Sequence, residues 1–360
     1  MRIGIIGSGQ LGWMLIQEGA KFSHEFAVLD TYPGPASNLC NAFYMPGNFQ
    51  EFVDSCDIVT YEFENGDMQA MLESDRQGKL FPGMLPVKLK KSRIEEKEFL
   101  RKNGIPVADF ESANSFSEAI ERSGKFEKSV IKTSAEGYDG KGQFVRKRGD
   151  PPAGGDEERD YIIEEFVDFR HEASIIIARG RDGETMAFPP SRNRHLHGML
   201  LSTEAPCEDD GMTEIAATLA EKLDYTGVLG VEFFVTDNGP IVNEFAPRVH
   251  NSGHNTLSGY HVSQFEQHIR AITGMPLGDT KNLECTGIVN IIGEALTDVQ
   301  ASEILKIKGT KLYDYGKEPR KRRKIGHVNL TMENAEVLSA GIGEVMRIVY
   351  GGKEEELLSP

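Results

Sequence analysis

Cysteine is scarce in this chain of 360 residues. The four present (Cys40, Cys56, Cys207, Cys285) lie far apart and form no C-x-x-C. That spacing argues against a disulfide framework or a zinc site. Reduced, partly buried thiols in a cytoplasmic protein are expected instead. Basic charge is short as well. Lys and Arg number 40 against 56 Asp and Glu, a net charge of −16. A nucleic-acid backbone would be repelled, so nucleic acid is not an expected partner. Acidity of this size serves solubility. No apolar run is long enough for a bilayer, and no charged-then-apolar leader precedes the first strand. Neither a membrane span nor secretion is expected. Internal repeats are lacking. One stretch, the acidic DPPAGGDEERD (150–160), is compositionally odd and receives no role.

What remains is an ordinary globular composition, 39% hydrophobic and 27% charged, in a chain long enough for about two or three domains. The first sixty residues alternate. RIGIIG reads as a strand, 10–21 as a helix, and 25–30 and 57–63 as further strands. This is a βαβ pattern with a parallel sheet. Gly7-Ser8-Gly9-Gln10-Leu11-Gly12 matches the G-x-G-x-x-G of dinucleotide-binding turns. Asp30 ends the second strand about twenty residues on, where a ribose-binding acid belongs. A nicotinamide-dependent oxidoreductase is therefore a serious local reading. A helix from Ser92 to Asn103-Gly104, with Pro106 beyond, opens a second region. After it come a strand, a glycine-rich loop and a strand, then two more strands, a helix near 209–225 and a hairpin over 228–245. The last ninety residues read as shorter strands and turns, with a basic run KEPRKRRK at 317–324.

Three motifs carry chemistry. GYDGKGQ (137–143) lies between strands. Its glycines let backbone N–H groups crowd a polyphosphate, and Lys132 adds charge nearby. No helix follows, so it is not a Walker loop, and a bare hairpin tip explains the glycines equally well. Tyr138 and Asp139 are candidate substrate contacts. In VEFFVTDNGPIVNEF a three-residue turn, Asp237-Asn238-Gly239, would set Thr236 opposite Pro240 and Glu232 opposite Glu244. Like charges opposed among apolar strands are unfavourable. Mg²⁺ held against phosphates would remove the conflict. Asn243 should face away unless a bulge re-aims it. The alternative is an exposed hairpin, against which stand Val231, Phe233, Phe234, Val235, Ile241 and Val242. Finally, APRVHNSGHNT (246–256) gathers Arg248, His250, Asn251, Ser252 and His254, which suits a small anionic substrate or a polar surface loop. The KEPRKRRK run reads as a solvated face, a nuclear-localisation lookalike or a phosphate pocket.

Taken in order, these pieces resemble the ATP-grasp ligases, and within them the 5-(carboxyamino)imidazole ribonucleotide synthetases of purine biosynthesis. GSGQLGWM (7–14), VTYEFEN (59–65), IKTSAEGYDGKGQ (131–143), NRHLHG (193–198), NEFAPRVHNSGH (243–254), SQFEQHIRAITG (263–274) and YGKEPRKRRKIGHVN (315–329) carry the likeness along nearly the whole chain. The resemblance implies an α/β and α+β ATP-grasp fold. Its parts would be a Rossmann-like βαβ domain (1–90), a central lid with the glycine loop (91–165) and a C-terminal ATP-grasp domain (166–360), of which 276–360 is a small subdomain. A homodimer is also implied.

Carried onto this sequence, Arg93 and Lys132 contact ATP phosphates. Gly137, Tyr138, Asp139, Gly140, Lys141, Gly142 and Gln143 cover them. Glu164, Glu165, Phe166 and Val167 line the adenine, and Glu172 holds the ribose. His195, Asn243 and Glu244 complete the nucleotide site, with Glu232 and Glu244 on Mg²⁺. Gln10, Tyr138, Asp139, Arg248, His250, Asn251, Ser252, Lys317, Arg323 and Lys324 would hold aminoimidazole ribonucleotide. The implied reaction joins ATP, bicarbonate and that ribonucleotide through carboxyphosphate. Arg248 would stabilise the intermediate and Asp139 would take a proton. Two departures stand out. His197 occupies a place where the family usually has an acid, and the 317–324 run has extra basic residues in place of a Pro-Gly.

Overall fold

The computed structural model describes residues 1–135, 143–150 and 154–359. The first sheet is parallel, in the order β3-β2-β1-β4, from β1 (Arg2–Ile6), β2 (Glu25–Leu29), β3 (Ala42–Tyr44) and β4 (Ile58–Tyr61). Ile3, Ile5, Ile6, Phe26, Val28, Leu29, Ile58 and Val59 are all buried. Continuous apolar runs of this kind belong to a parallel sheet covered on both faces. Helices α1 (Gln10–Gly19), α2 (Phe49–Ser55), α3 (Met68–Arg76) and α4 (Met84–Leu89) accompany it. α1 is shorter than the 10–21 expected, because Ala20–Phe22 tightens into a 3-10 turn that ends at Ser23 with φ +56°. Helix α5 (Arg93–Lys102) starts at Ser92, whose side chain accepts the Glu95 N–H at 3.3 Å.

The second sheet is antiparallel, in the order β5-β8-β6-β7: β5 (Phe110–Ala113), β6 (Lys128–Thr133), β7 (Gln143–Lys147) and β8 (Tyr161–Glu165), with α6 (Phe116–Ser123) against it. The third sheet has nine strands: β9 (His171–Arg179), β10 (Thr185–Ala187), β11 (Ser191–Leu196), β12 (Met199–Ala205), β13 (Gly227–Thr236), β14 (Gly239–Ala246), β15 (Cys285–Ile292), β16 (Thr310–Asp314) and β17 (Lys324–Met332). Its main path is β14-β13-β9-β11-β12-β15-β17-β16. Strand alternation decides what covers it. Ala173, Ile175 and Ile177 of β9 pack with α7 (Met212–Lys222), whereas Ile176 and Ala178 pack with α8 (Gln264–Thr273) and, through it, with α1 of the first sheet.

Two expectations are corrected here. The last ninety residues are not strands and turns alone: they also contain α9 (Asp298–Lys306), α10 (Ala335–Tyr350) and α11 (Glu354–Leu358). Gly341 and Gly343 lower the helix propensity of α10. Burial of Leu338, Ile342, Val345 and Met346 on one face overrides that loss. The hairpin turn is also shorter than expected. Thr236 pairs with Gly239 across two residues, Asp237-Asn238, and the Thr236 hydroxyl donates to the Gly239 carbonyl at 2.8 Å. The extra residue lies instead in a bulge at Asn243, so Glu232 still faces Glu244. The four cysteines are free thiols. Among the described residues no helix is long and apolar enough to cross a membrane.

Candidate active site

A cleft of about 1270 Å³ opens where the three sheets meet. Among the described residues, eight acidic and eight basic side chains line it. In a chain with a net charge of −16, that balance is a local concentration of cations and suits anionic ligands.

At one end β6 and β8 present Lys132 and Glu164, with Nζ 3.1 Å from Oε2. Lys97 of α5 lies 3.8 Å from the same oxygen. Burial alone would raise the Glu164 pKa, but Lys97 and then Lys132 outweigh it and hold the carboxyl below its ordinary value. Arg93 Nη1 donates to the Thr133 carbonyl at 2.9 Å. The segment after β8 is fixed by its backbone, since Glu165 N donates to Asp109 O (2.7 Å) and Phe166 N to Lys128 O (2.9 Å). Phe169 stacks on Phe234 with centroids 4.8 Å apart, giving the cleft a flat apolar wall. Opposite, Glu172 Oε2 lies 2.9 Å from His195 Nδ1. Burial opposes the charged imidazole, yet the bond to Glu172 and the charge of Glu232 raise the His195 pKa.

The paired glutamates sit between the two ends. The β14 bulge places Asn243 and Glu244 consecutively on the cleft wall, facing Glu232. Burial, and then the charge of Glu244, push the Glu232 pKa up against the pull of His195. Glu244, 52% exposed, has Lys90 Nζ at 3.1 Å, which brings its pKa down to about 2. Lys90 is also 2.9 Å from Glu96 Oε2. Among the described residues no group of three or more His, Cys, Asp or Glu is placed to hold a metal by itself. Two carboxylates and an amide oxygen form an incomplete set of hard oxygen donors. Such a set fits a cation whose remaining ligands are phosphate oxygens and water.

At the other end Arg248 Nε donates to Glu64 Oε2 at 2.8 Å. Burial would raise the Glu64 pKa, but Arg248 and Lys90 keep it low. Gln264 clamps the backbone of His250: it accepts from His250 N at 2.8 Å and donates to His250 O at 2.7 Å. The Ser252 N–H donates to His250 Nδ1 (3.4 Å), so Nδ1 is an acceptor and Nε2 carries the proton. Burial, with Arg248 and Lys324, lowers the His250 pKa to about 3. Its Nε2–H faces Glu232 Oε1 at 3.4 Å as a neutral donor. Asn251 and Asn290 exchange two side-chain hydrogen bonds, each Nδ2 donating to the other's Oδ1, at 3.0 and 2.8 Å. Lys317 donates to Gln10.

The cleft thus brings together Gln10, Arg93, Lys132, Gln143, Glu164, Glu165, Phe166, Val167, Glu172, His195, Glu232, Asn243, Glu244, Arg248, His250, Asn251, Lys317 and Lys324. Two expected contacts lie off its wall. Ser252 is fully buried with its hydroxyl 2.9 Å from His250 Nδ1, so it sits behind the histidine. Arg323 Nη1 donates to Glu318 O at 3.1 Å. Gly137, Tyr138, Asp139, Gly140, Lys141 and Gly142 lie outside the described residues.

Sequence reasoning missed Glu62, Glu64, Lys90, Glu96 and Lys97. Glu62 and Glu64 follow the carboxyl end of a parallel strand, where such sheets bind ligands, and VTYEFEN signalled that much. Glu96 and Lys97 are adjacent on an apparently solvated helix, and only the fold shows that both are buried. Glu62 also resolves the dinucleotide fingerprint. Its carboxylate accepts from Gly9 N and from Gly12 N (2.6 Å). Asp30 accepts from Ser8 N at 2.7 Å. The turn and the acid that would hold a dinucleotide are taken by the chain itself.

Known proteins show the same organisation. Residues 1–90 match the ribonucleotide synthetase preATP-grasp domain, 98–265 the ATP-grasp domain, and 286–340 the phosphoribosylaminoimidazole carboxylase C-terminal domain. The N5-carboxyaminoimidazole ribonucleotide synthase of Saccharolobus solfataricus is 42% identical, over 97% of this chain and 96% of its own. The phosphoribosylaminoimidazole carboxylase ATPase subunit of Aquifex aeolicus superposes with a TM-score of 0.86 at 41% identity, covering 97% of this chain and 100% of that one. A carboxyaminoimidazole ribonucleotide synthase from Aspergillus clavatus, solved with ATP, has a TM-score of 0.86 at 26% identity, covering 97% and 98% of the two chains. With this likeness along nearly its whole length, the chain belongs to the N5-carboxyaminoimidazole ribonucleotide synthases, ATP-grasp ligases of purine biosynthesis.

Proposed function

We propose that the cleft divides the family's reaction between its two ends, with the Glu232–Glu244 pair at the junction. The observation that carries this reading is the single cleft in which Lys132–Glu164, Glu232–Glu244 and Glu64–Arg248–His250 all stand. ATP takes the end with the Phe169–Phe234 wall, its ribose toward Glu172 and His195 and its phosphates toward Arg93, Lys97 and Lys132. Mg²⁺ on Glu232 and Glu244, with Asn243 beside them, neutralises phosphate charge when bound. Bicarbonate attacks the γ-phosphorus, ADP leaves, and carboxyphosphate forms. This step needs positioning and charge neutralisation more than covalent help. Arg248, oriented by Glu64, faces the carboxyphosphate, and the neutral His250 Nε2–H is a donor beside it. Gln10, Asn251, Lys317 and Lys324 receive aminoimidazole ribonucleotide. Its exocyclic amine attacks the carboxyl carbon, phosphate departs, and Asp139 accepts the amine proton. The glycine loop at 137–143 excludes water from the labile intermediate.

ADP release measured with MgATP, bicarbonate and aminoimidazole ribonucleotide tests the assignment. The expected result is release that depends on all three. Release indifferent to bicarbonate or to the ribonucleotide would overturn it. Asp139→Asn should then cut turnover far more than ATP binding. NADH titrated in parallel should not bind, because Glu62 and Asp30 already fill the N-terminal turn. The same reading takes 1–90, 91–165 and 166–360 as domains (276–360 as a subdomain), a homodimer as the working unit and the cytoplasm as its place. Light scattering in solution checks the dimer.

A further inference from the structure

His197, Lys321 and Arg322 have no place in the reaction just described. In the fold they converge on one short segment. Arg322 Nη2 donates to the carbonyl of His197 at 3.1 Å, and its Nη1 donates to the carbonyl of Leu358. His197 Nε2 lies 2.8 Å from Glu355 Oε2. Lys321 Nζ reaches the Ser359 hydroxyl at 3.5 Å. Leu358 is fully buried in the apolar cluster that also contains Leu196 and Ile325. Those two are the chain neighbours of His195 and Lys324. Both His197 (φ +49°) and Arg322 (φ +64°) adopt left-handed backbone. Residues with side chains keep that conformation only where their surroundings over-determine it.

The two loops joined in this way have no direct link through the sheet. One runs from β11 into β12 and the other enters β17, and β15 lies between β12 and β17. The first loop follows His195 and puts Gly198 on the cleft wall, and the second supplies Lys317 and Lys324. Helix α11 lies outside all three matched family segments.

We propose that residues 354–359 are a clasp that positions the ribonucleotide side of the cleft, with Arg322 as the positioning residue that ties both loops to it. Lys317 lies in the loop between β16 and β17, and Lys324 is the first residue of β17. Holding that loop against the β11–β12 turn fixes where their charges stand before substrate arrives. His197 and Glu355 form the second tie. The inference rests on the assignment of Lys317 and Lys324 to the ribonucleotide.

The test uses the full chain with Arg322→Gly, which keeps left-handed backbone and removes the guanidinium, alongside Arg322→Lys and Glu355→Gln. Wild-type turnover is measured first. The KM for aminoimidazole ribonucleotide should rise about tenfold in Arg322→Gly, with kcat changed less than about twofold and a smaller rise in the KM for ATP. Arg322→Lys should recover part of the loss, and Glu355→Gln should show a smaller rise. Amide exchange over 196–200 and 316–324 in the ligand-free variant should speed up, while β9 and β13 stay protected. An unchanged KM overturns the proposal, whether or not the melting temperature falls. So does a parallel loss of kcat and every KM, which marks general loosening. If the wild-type protein fails to turn over the ribonucleotide, the functional assignment falls. The exchange comparison then still decides the clasp, and unchanged exchange in both loops refutes it.

Discussion

Lys90 is the residue on which the charge balance of the cleft turns. It is only 10% exposed, and it touches Glu244 and the buried Glu96. Removing one partner of a buried ionic group leaves the others without compensation, at about 3 kcal/mol. Lys90→Met should therefore lower the unfolding free energy by an amount of that order and shift the urea midpoint down. Adding Mg²⁺ should restore more stability to the variant than to the wild type, because Glu244 then meets the cation with no lysine competing. A midpoint unmoved by the substitution would contradict this account. Glu62 makes the same point in another way. Its carboxylate sits on Gly9 N and Gly12 N, so a turn that looks ready for a phosphate is already neutralised from inside.

At the level of elements, function depends on small departures from regularity. The β14 bulge is one. If the strand ran on without a bulge at Asn243, the two-residue turn would set Glu232 opposite Asn243, and Glu244 would fall on the other face. Deleting Asn243 closes the bulge and leaves Glu232 opposite Glu244, so MgADP should still bind by titration, more weakly for want of the amide oxygen, and the hairpin should persist by circular dichroism; complete loss of binding would contradict this account. Helix α8 is another. Its buried Gln264 satisfies both backbone groups of His250. Gln264→Leu strands a donor and an acceptor and should cost roughly 2 kcal/mol. It should raise the bicarbonate requirement while leaving the KM for ATP in place. Equal changes in both would show that α8 supports the cleft only in a general way.

The whole molecule answers to pH through its buried histidines. His254, His268 and His327 are almost fully buried. Burial brings the pKa of His268 and His327 down to about 3 and that of His254 well below its ordinary value. An unfolded chain binds those protons near pH 6.5, and the folded one refuses them. Stability therefore rises with pH between about 3 and 6.5, and is lost as pH falls through that window. His195 runs the other way. Its raised pKa adds stability that is complete below about pH 6.5 and disappears as pH rises through the raised value. With these three and His250 against His195, the histidines should make the protein less stable at pH 5.5 than at 7.5. His327→Gln removes one proton-refusing site. The stability difference between those two pH values, read from urea unfolding, should shrink by about 1 kcal/mol in that variant. No change in the difference would show that His327 does not titrate as described.

Sequence and tertiary structure contributed different things. Local pattern determined the parallel N-terminal strands, the capped helix at Ser92, the glutamate hairpin and the polar loop after it, because period, caps and turns are properties of neighbours in the chain. It even placed Glu232 against Glu244, although by a longer turn where the fold uses a bulge. The long helix at 335–350 escaped it because two glycines weaken a propensity that only packing overrides. Lys90, Glu96 and Lys97 were illegible for a related reason: charges on or just beyond a helix read as solvated until another sheet covers them. The ligand of the GSGQLG turn was decided by tertiary structure as well, when β4 delivered Glu62 to it. Short-range geometry is written in adjacent residues, whereas burial, charge pairing and the meeting of distant loops exist only once the three sheets close around one cleft.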